Sequence, residues 1–227
     1  MTNTKNISNG KRFRCFCALA LLLCACAEVP ENCGDGIPPV SQGGCPGGSG
    51  GGGGSSFTDS RDGKRYRTVR IGTQTWMAEN LNYTTSNSWC YDDDPSNCTK
   101  YGRLYTWDAA MSACPSGWHL PSDVEWDILL AAVGGASTAG TMLKSTTGWS
   151  DGGNGADVYG FSALPGGWRD TDGTFTSAGR YGEWWCATEG WTGGAWHRFM
   201  NSDANVYENL MLNDKGDGLS ARCIRWD

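Results

Sequence analysis

A glycine-rich run near residue 50 limits where this chain can fold. The segment GGCPGGSGGGGGSS, residues 43–56, has almost no side chains to bury, and such segments behave as flexible coil. Residues 26–56 are therefore predicted to form a tether that reaches about 30 Å. A single globular domain is expected at residues 57–227, and the 12 tryptophans of the chain all fall within it as candidate core anchors.

Residues 1–25 have the composition of an export signal. Basic residues without any acidic one precede a short apolar run at 15–25, which is too brief to span a bilayer as a helix. The ending Leu23-Cys24-Ala25-Cys26 matches the bacterial lipobox, so Cys26 is predicted to be lipidated after cleavage, and Cys24 is a poorer candidate. An ordinary secretory signal is the alternative. A lipid on Cys26 predicts a membrane anchor in the cell envelope, at the outer membrane or the cell surface, because no Asp follows the cysteine.

The net charge argues against nucleic acid as a partner. The formal charge is −6, and it falls to −10 without residues 1–25, which contain four basic residues and no acidic one. A surface of this sign repels phosphate backbones, and no basic cluster is interleaved with aromatic residues. An extracellular polysaccharide or a neighbouring surface protein is compatible with this charge.

Export makes disulfide bonds permissible, and the 11 cysteines can be sorted on that basis. Cys186 is left over in this scheme, and we interpret it as a small buried hydrophobic residue rather than a nucleophile. Three disulfide pairs are predicted: Cys90 with Cys98 across a polar loop, Cys114 with Cys223, and Cys33 with Cys45 in the tether.

The folded part opens with a hairpin signal, followed by two helix signals. The runs RYRTVRI and QTWMAEN, separated by Gly72-Thr73, predict a hairpin. Helical spacing of Trp107, Ala110 and Met111 predicts a helix that ends before Pro115. A second helix is predicted from a capping box to Gly134-Gly135. Its capping residues are Ser122 and Glu125, and its apolar stripe is Ile128, Leu129, Ala132 and Val133.

The rest of the sequence predicts short strands joined by glycine turns. These segments are GFSALPGGWRD, GTFTSAG, GEWWCATE, AWHRFMN, NVYENLMLN and LSARCIRWD. Early helices followed by a run of strands indicate the α+β class. We therefore expect two helices packed on short, mostly antiparallel strands, with many loops.

Six motifs, in their order along the chain, are similar to those of a known family. They are GTQTWMAENLNY, YGRLYTWDAA, ACPSGWHLPSDVEW, GFSALPGGWRDTDGTF, WWCATE and SARCIRWD. Through them residues 57–227 resemble the Fibrobacter succinogenes major paralogous domain, a family of unknown function found on exported bacterial proteins and often on lipoproteins. The resemblance implies a C-type-lectin-like fold, related also to formylglycine-generating enzymes. At WWCATE the family is expected to have a small polar residue where this chain has Cys186.

The resemblance does not bring a catalytic site with it. Formylglycine-generating enzymes use a cysteine pair in the region that corresponds to GGWRDTDGTFTSAGRY, and no cysteine occurs there. Glu183 and Glu189 could act as acid and base on a glycoside, with His197 nearby in the sequence. A continuous strand would separate these two carboxyls by about 20 Å, which is too far for that chemistry. No catalytic residue is therefore predicted.

Acidic clusters offer possible calcium ligands, but they are equally typical of turns. The Glu-Pro-Asn, Gln-Pro-Asp and Trp-Asn-Asp sequences of calcium-dependent lectins are missing from the folded region. No metal site and no cofactor are predicted, with calcium as the alternative. The clusters are Asp92-Asp93-Asp94, Asp151 with Asn154 and Asp157, Asp170 with Asp172, and Asn213-Asp214 with Asp217.

Four tryptophans lie between residues 180 and 199. Alternation along GEWWCATE sends Trp184 and Trp185 to opposite faces, so that at most one of them joins a given core. A core role is one interpretation of the group, and a solvent-facing platform for a sugar or peptide is the other. On the second interpretation, the predicted ligand-binding residues are Trp185, Glu189, Trp191, Trp196 and His197.

These features together predict a non-catalytic recognition module that is tethered to a surface. Its binding face is expected on the loops at residues 148–158 and 189–197, since loops on a rigid frame commonly carry binding residues. The expected ligand is an extracellular polysaccharide or a neighbouring surface protein. Two alternatives stay open: an envelope protein without a specific ligand, and an enzyme that uses Glu183, Glu189 and His197.

Overall fold

The computed structural model describes residues 55–190, 193–203 and 213–226, together with the backbone of two short strands nearer the N-terminus. The chain divides into two units, Met1–Ser49 and Gly50–Asp227. In the first unit, β1 (Phe13–Cys15) pairs antiparallel with β2 (Cys26–Glu28). The predicted pair of Cys33 and Cys45 lies outside the described residues. Within the described part of the chain, no helix combines the length and apolar character needed to cross a bilayer.

The second unit begins with a four-stranded antiparallel sheet. Its strands are β3 (Ser55–Thr58), β4 (Arg65–Ile71), β5 (Gln74–Met77) and β14 (Ile224–Trp226), in the order β14-β5-β4-β3. The β4–β5 hairpin is the one that the sequence predicts, with Val69 opposite Trp76. Strand β14 pairs with β5, so the end of the chain closes the sheet that its start opens.

A six-stranded sheet provides the frame for the site described below. In chain order its strands are β6 (Ser88–Trp89), β7 (Leu104–Tyr105), β10 (Tyr181–Glu189), β11 (Gly194–Asn201), β12 (Asn213–Asp214) and β13 (Leu219–Ser220). Their order in the sheet is β12-β11-β10-β13-β7-β6, antiparallel except between β10 and β13. A separate hairpin joins β8 (Trp168–Arg169) to β9 (Phe175–Thr176).

Four α-helices complete the described part of this unit: α1 (Pro95–Tyr101), α2 (Trp107–Ala113), α3 (Asp123–Ala132) and α4 (Ala136–Leu143). The mixed α+β class is confirmed, but two helices were predicted where four are found. The signal for α1 is present in the sequence, because Asp94 caps it and Pro95 occupies its first turn. Helix α4 lacks such a signal, since Gly135 precedes it without a side-chain cap and Gly140 lies within it.

The capping box of α3 is confirmed, but its buried face differs from the predicted stripe. Ser122 Oγ accepts from the Glu125 amide, and Glu125 Oε2 accepts from the Ser122 amide at 2.7 Å. Ile128 and Ala132 are only half-buried, because Trp126 and Leu130 join Leu129 and Val133 in facing the core. In α2 the predicted core residue Met111 is 45% exposed, since Trp107, Ala110 and Ala113 fill the buried side.

Two core clusters lie on opposite faces of β10, as alternation along GEWWCATE requires. Trp184 packs with Trp126 on one face, at a centroid separation of 6.1 Å. Trp185 packs with Tyr105 and Leu120 on the other face. Both predicted disulfides of the domain are present, Cys90–Cys98 and Cys114–Cys223, and the second ties the end of α2 to the segment just before β14.

Candidate functional site

The described tryptophans of the predicted ligand platform, Trp185 and Trp196, lie in or against the core. Trp185 is fully buried and donates from Nε1 to the carbonyl of Tyr105 at 2.7 Å, because α2 covers that part of the sheet. Trp196 is half-buried and packs against the core cluster that contains Trp126. Trp191 lies outside the described residues. Trp185 is therefore a core residue, and its prediction as a ligand contact is wrong.

The loops expected to form the binding face also differ from that expectation. The segment at 189–197 is mostly the ends of β10 and β11, and Glu189 there is exposed and paired with Lys215. The loop at 148–158 packs tightly on the domain at Gly153, where an added Cβ would lie 2.3 Å from the carbonyl oxygen of Ser202. Most other residues of the 148–158 loop are exposed, and His197, at the end of the other segment, lines the cleft described next.

A cleft opens instead on one face of β10 and β11, and His197 is the predicted site residue that lines it. Its volume is about 300 Å³. We call it the β10–β11 cleft. It is lined by Trp168, Asp170, Tyr181, Glu183, His197, Phe199, Asn213 and Asp217.

Strand alternation explains which side chains reach the cleft. Tyr181 and Glu183 are two residues apart on β10, and His197 and Phe199 are two apart on β11. The register places Glu183 opposite Phe199, so the two pairs share one face of the sheet. The next residue along β10, Trp184, lies in the core behind them.

The β8–β9 hairpin adds the remaining aromatic residue because glycines let it approach β10. The Gly167 amide donates to the Tyr181 carbonyl at 2.7 Å, and Gly167 also bridges to Gly182. A Cβ on Gly182 would lie 2.6 Å from the carbonyl oxygen of Leu164, so only glycine fits there without a shift. This approach places Trp168 beside Tyr181.

Three aromatic rings form one continuous side of the cleft. Trp168 meets Tyr181 edge-on, with centroids 5.7 Å apart and planes at 89°. Tyr181 lies 6.2 Å from Phe199, which in turn stacks on the His197 ring at 6.2 Å. Trp168, Tyr181 and Phe199 are each only partly buried, so their rings present apolar surface to the cleft.

Three carboxyl groups lie beside these rings. Asp170 accepts from Trp168 Nε1 at 3.0 Å, and Asp217 Oδ1 accepts from the Thr171 amide at 3.1 Å. Glu183 is only 8% exposed, with Asn213 Nδ2 at 3.5 Å from its Oε2. Among the described residues that line the cleft, none is a lysine or arginine.

The environment of the cleft changes the pKa of its acids and of its histidine. Burial, together with the negative charges of Asp217 and Asp170, raises the pKa of Glu183 to about 7. Burial and the charges of Asp170 and Asp214 raise the pKa of Asp217 to about 6.

The histidine is shifted in the opposite direction from the acids. His197 Nε2 lies 3.9 Å from Glu183 Oε2, but burial and the positive charge of Arg198 lower the pKa of His197 to about 4. At neutral pH the histidine is uncharged, and it does not compensate the acids. The pair is therefore not a conventional ion pair, because burial favours the neutral form of both groups.

The sequence model of one family, the Fibrobacter succinogenes major domain, matches residues 69–225. The chain belongs to this family. The match runs from within β4 to within β14 and includes every residue that lines the cleft. No curated protein and no solved structure is significantly similar to the chain. The cleft is therefore part of the Fibrobacter succinogenes major domain itself, and residues 1–68, which include the glycine-rich segment, lie outside the match.

The acidic clusters of this Fibrobacter succinogenes major domain form turns. Asp172 Oδ1 accepts from the Thr174 amide and Asp214 Oδ1 from the Gly216 amide, both at 2.8 Å. Asp157 likewise accepts from the amide of Ser162, at 2.7 Å. Across the described ranges, no three His, Cys, Asp or Glu side chains are grouped so that they could hold a metal ion.

Cys186 is buried in the core of the domain, on the face of β10 opposite the cleft. Burial is the main cause of a pKa well above the usual range of a thiol. A thiol of this kind is a poor nucleophile at neutral pH, which agrees with its interpretation as a small hydrophobic residue.

Sequence reasoning missed most of the cleft, although part of the signal was present. The alternating pairs Tyr181/Glu183 and His197/Phe199 each combine an aromatic or imidazole ring with a second group on one strand face. Glu189, which the sequence offered as a second carboxyl only on the enzyme alternative, pairs with Lys215, and the negative charges that act on Glu183 come from Asp217 and Asp170. Neither the approach of Trp168 nor that of Asp217 follows from any local pattern.

Proposed function

We propose that this domain is a non-catalytic module that binds a polysaccharide in the β10–β11 cleft. The observation that carries the proposal is the row of three partly exposed rings beside three carboxyls and an amide, in a cavity of about 300 Å³. The C–H faces of a sugar pack well on such rings, and carboxylates and amides accept and donate hydrogen bonds to its hydroxyls. The cavity volume is near the lower end of the range for small-molecule sites.

The setting of the domain is part of the same proposal. A lipid on Cys26 and the glycine-rich segment would present the domain at the outer membrane or the cell surface. The family match supports the Fibrobacter succinogenes major domain, and we propose in addition that its fold is C-type-lectin-like. The mixed sheets, two disulfides and many loops agree with that relationship. An acidic protein of this kind has no evident attraction to nucleic acid.

A glycan array probed with the purified full chain tests the proposal. We expect a polysaccharide signal that Trp168→Ala and Phe199→Ala each weaken about tenfold or more, because each removes a ring from the cleft. Trp226→Ala is the matched control, since Trp226 is 49% exposed and lies on β14 outside the cleft. Melting temperatures of the variants separate loss of a ring from loss of the fold.

Three outcomes would count against a polysaccharide-binding module. An equal loss of glycan binding in Trp226→Ala would contradict the assignment of the binding site to the cleft. Binding to a surface protein in place of any glycan would change the ligand class. No binding of either kind would favour an envelope protein without a specific ligand.

Cleavage of a glycoside is the second candidate function, and one observation favours it. Glu183, with a pKa of about 7, is half protonated at neutral pH next to Asp217 and 3.9 Å from His197. A carboxyl of this kind can act as a general acid while a second carboxyl acts as base or nucleophile. Release of reducing ends by the wild type, abolished in Glu183→Gln, would establish this activity in place of simple binding.

A further inference from the structure

We infer that the saccharide bound in the β10–β11 cleft carries a free ammonium group, as in a deacetylated amino sugar. This inference rests on the proposed function and specifies its ligand class. Three carboxyls and three aromatic rings face one cavity whose lining residues include no lysine or arginine. A positively charged ligand fits that combination better than a neutral one.

The acids of the cleft lack the ion pairs that several other acids in the described ranges form. Asp59 pairs with Arg61 at 2.7 Å, Glu79 with Arg67 at 2.7 Å, and Asp123 with Arg198 at 2.6 Å. Within those ranges, Asp170, Glu183 and Asp217 have no ion pair with a lysine or arginine, and the basic side chain that lines the cleft with them is the buried His197. The carboxyls of this concave site thus lack the arginine partners that Asp59, Glu79 and Asp123 have.

Uncompensated carboxyls in a partly buried site are unfavourable, and a bound cation relieves that cost. Burial is the main cause of the raised pKa of both Glu183 and Asp217, and the charges of Asp217 and Asp170 add to it at Glu183, as those of Asp170 and Asp214 do at Asp217. An ammonium group among them would favour the ionised forms of the carboxyls. Each positive charge that a ligand places among these carboxyls therefore strengthens its binding.

The aromatic rings provide a second reason for a cation. The Tyr181 ring lies within contact range of both Trp168 and Phe199, and the three rings border the same space as the carboxyls. An ammonium close to the face of such a ring is attracted by its π electrons, with a contribution of about 0.5–2 kcal/mol. Rings and carboxyls thus favour the same ligand feature, while the rings still accept the C–H surface of the sugar.

Three oligosaccharides with the same β-1,4 backbone test the inference, since they differ only at carbon 2. They are cello-oligosaccharides with a hydroxyl, chitin oligosaccharides with an acetamide, and fully deacetylated chitosan oligosaccharides with an ammonium group. Titration calorimetry with the purified full chain at about pH 6 keeps the amine protonated. We expect the deacetylated ligand to bind about tenfold or more tightly than both neutral ones, and to lose that advantage in about 0.5 M salt.

Two isosteric variants assign the effect to the cleft. Asp217→Asn removes one charge from the lining and should reduce the preference for the amine severalfold, while binding of the neutral oligosaccharides is kept. Asp172→Asn removes the same charge from an exposed turn of the neighbouring hairpin and should leave the preference unchanged. Near-ultraviolet circular dichroism checks that both variants are folded.

The possible results separate this inference from the proposed function. Tight binding of a neutral oligosaccharide with no gain from the ammonium group would overturn the inference and leave the saccharide module intact. An equal loss of preference in Asp172→Asn would show a general charge effect rather than a site, and would also overturn it. Failure of these ligands and of every glycan on the array would remove the proposed function itself.

Discussion

Arg222 and Asn80 form a buried pair that joins distant parts of the chain. Asn80 Oδ1 accepts from Arg222 Nη2 at 2.7 Å and from Nε at 3.0 Å, and it also accepts from Trp184 Nε1 at 2.8 Å. Arg222 is wholly buried over the ring of Phe161, and burial lowers its pKa to about 9. Asn80 lies in the motif GTQTWMAENLNY and Arg222 in SARCIRWD, two of the motifs on which the family resemblance is based. These two motifs therefore encode the frame rather than the cleft.

Replacing Asn80 by Ala should destabilise the domain strongly. The change leaves a buried guanidinium without its main side-chain acceptor, and breaking such an arrangement costs about 3–5 kcal/mol. Urea denaturation of the full chain measures the free energy of unfolding. Asn82→Ala, at a half-buried neighbouring asparagine, should change it by about 0.5 kcal/mol or less. A similar loss in both variants would contradict the role assigned to the pair.

The two disulfides should contribute unequally to stability. Cys114–Cys223 closes 109 residues and Cys90–Cys98 closes 8. Loop-closure entropy predicts losses of about 4.7 and about 2.5 kcal/mol on their removal. Double Cys→Ser variants of each pair, compared by chemical denaturation, give this ranking. A greater loss from the short loop would mean that strain or local contacts outweigh chain entropy.

Glu183→Gln should make the domain more stable at alkaline pH and leave it unchanged in acid. The folded pKa of about 7 lies above the usual 4.5, so the folded state binds more protons between these values, and stability falls as pH rises through that window. The shift corresponds to a penalty on the order of 3 kcal/mol above pH 7. Melting temperatures of wild type and variant across about pH 4–8 report the difference.

His197 changes the pH dependence of stability in the opposite direction, because its pKa is lowered to about 4. Stability falls as the pH falls from about 6.5 to about 4, because the unfolded state then binds a proton at His197 that the folded state does not. This loss occurs in both proteins. The difference between wild type and Glu183→Gln therefore isolates the glutamate. A constant difference at all pH values would contradict a buried, protonated Glu183.

Cys186 should resist alkylation while the domain is folded. The thiol is buried, and burial raises its pKa, so neither access nor a thiolate is available at neutral pH. Iodoacetamide treatment followed by peptide mass spectrometry should find the peptide with Cys186 unmodified under native conditions and modified in denaturant. Rapid native labelling would indicate an accessible, reactive cysteine.

Local patterns predicted the elements that depend on neighbouring residues. The β4–β5 hairpin, the Ser122/Glu125 capping box and the alternation of Trp184 and Trp185 all follow from residues close together in the chain. The pairs Cys90–Cys98 and Cys114–Cys223 followed from the number and spacing of the cysteines, on the expectation that the chain is exported. The hairpin, the capping box and the alternation form wherever the rest of the fold permits, because their interactions are short in sequence, whereas Cys114–Cys223 closes 109 residues.

The cleft depended on contacts between segments that are far apart in the chain. Whether Trp185 is exposed is decided by α2, about 80 residues earlier, which covers that half of the β10 face and leaves the half with Glu183 open. The approach of Gly167 to Gly182 brings Trp168 in, and the turn before β13 brings Asp217. Alternation states which two faces a strand has, whereas only the packing of other elements determines which part of a face is covered and which meets solvent.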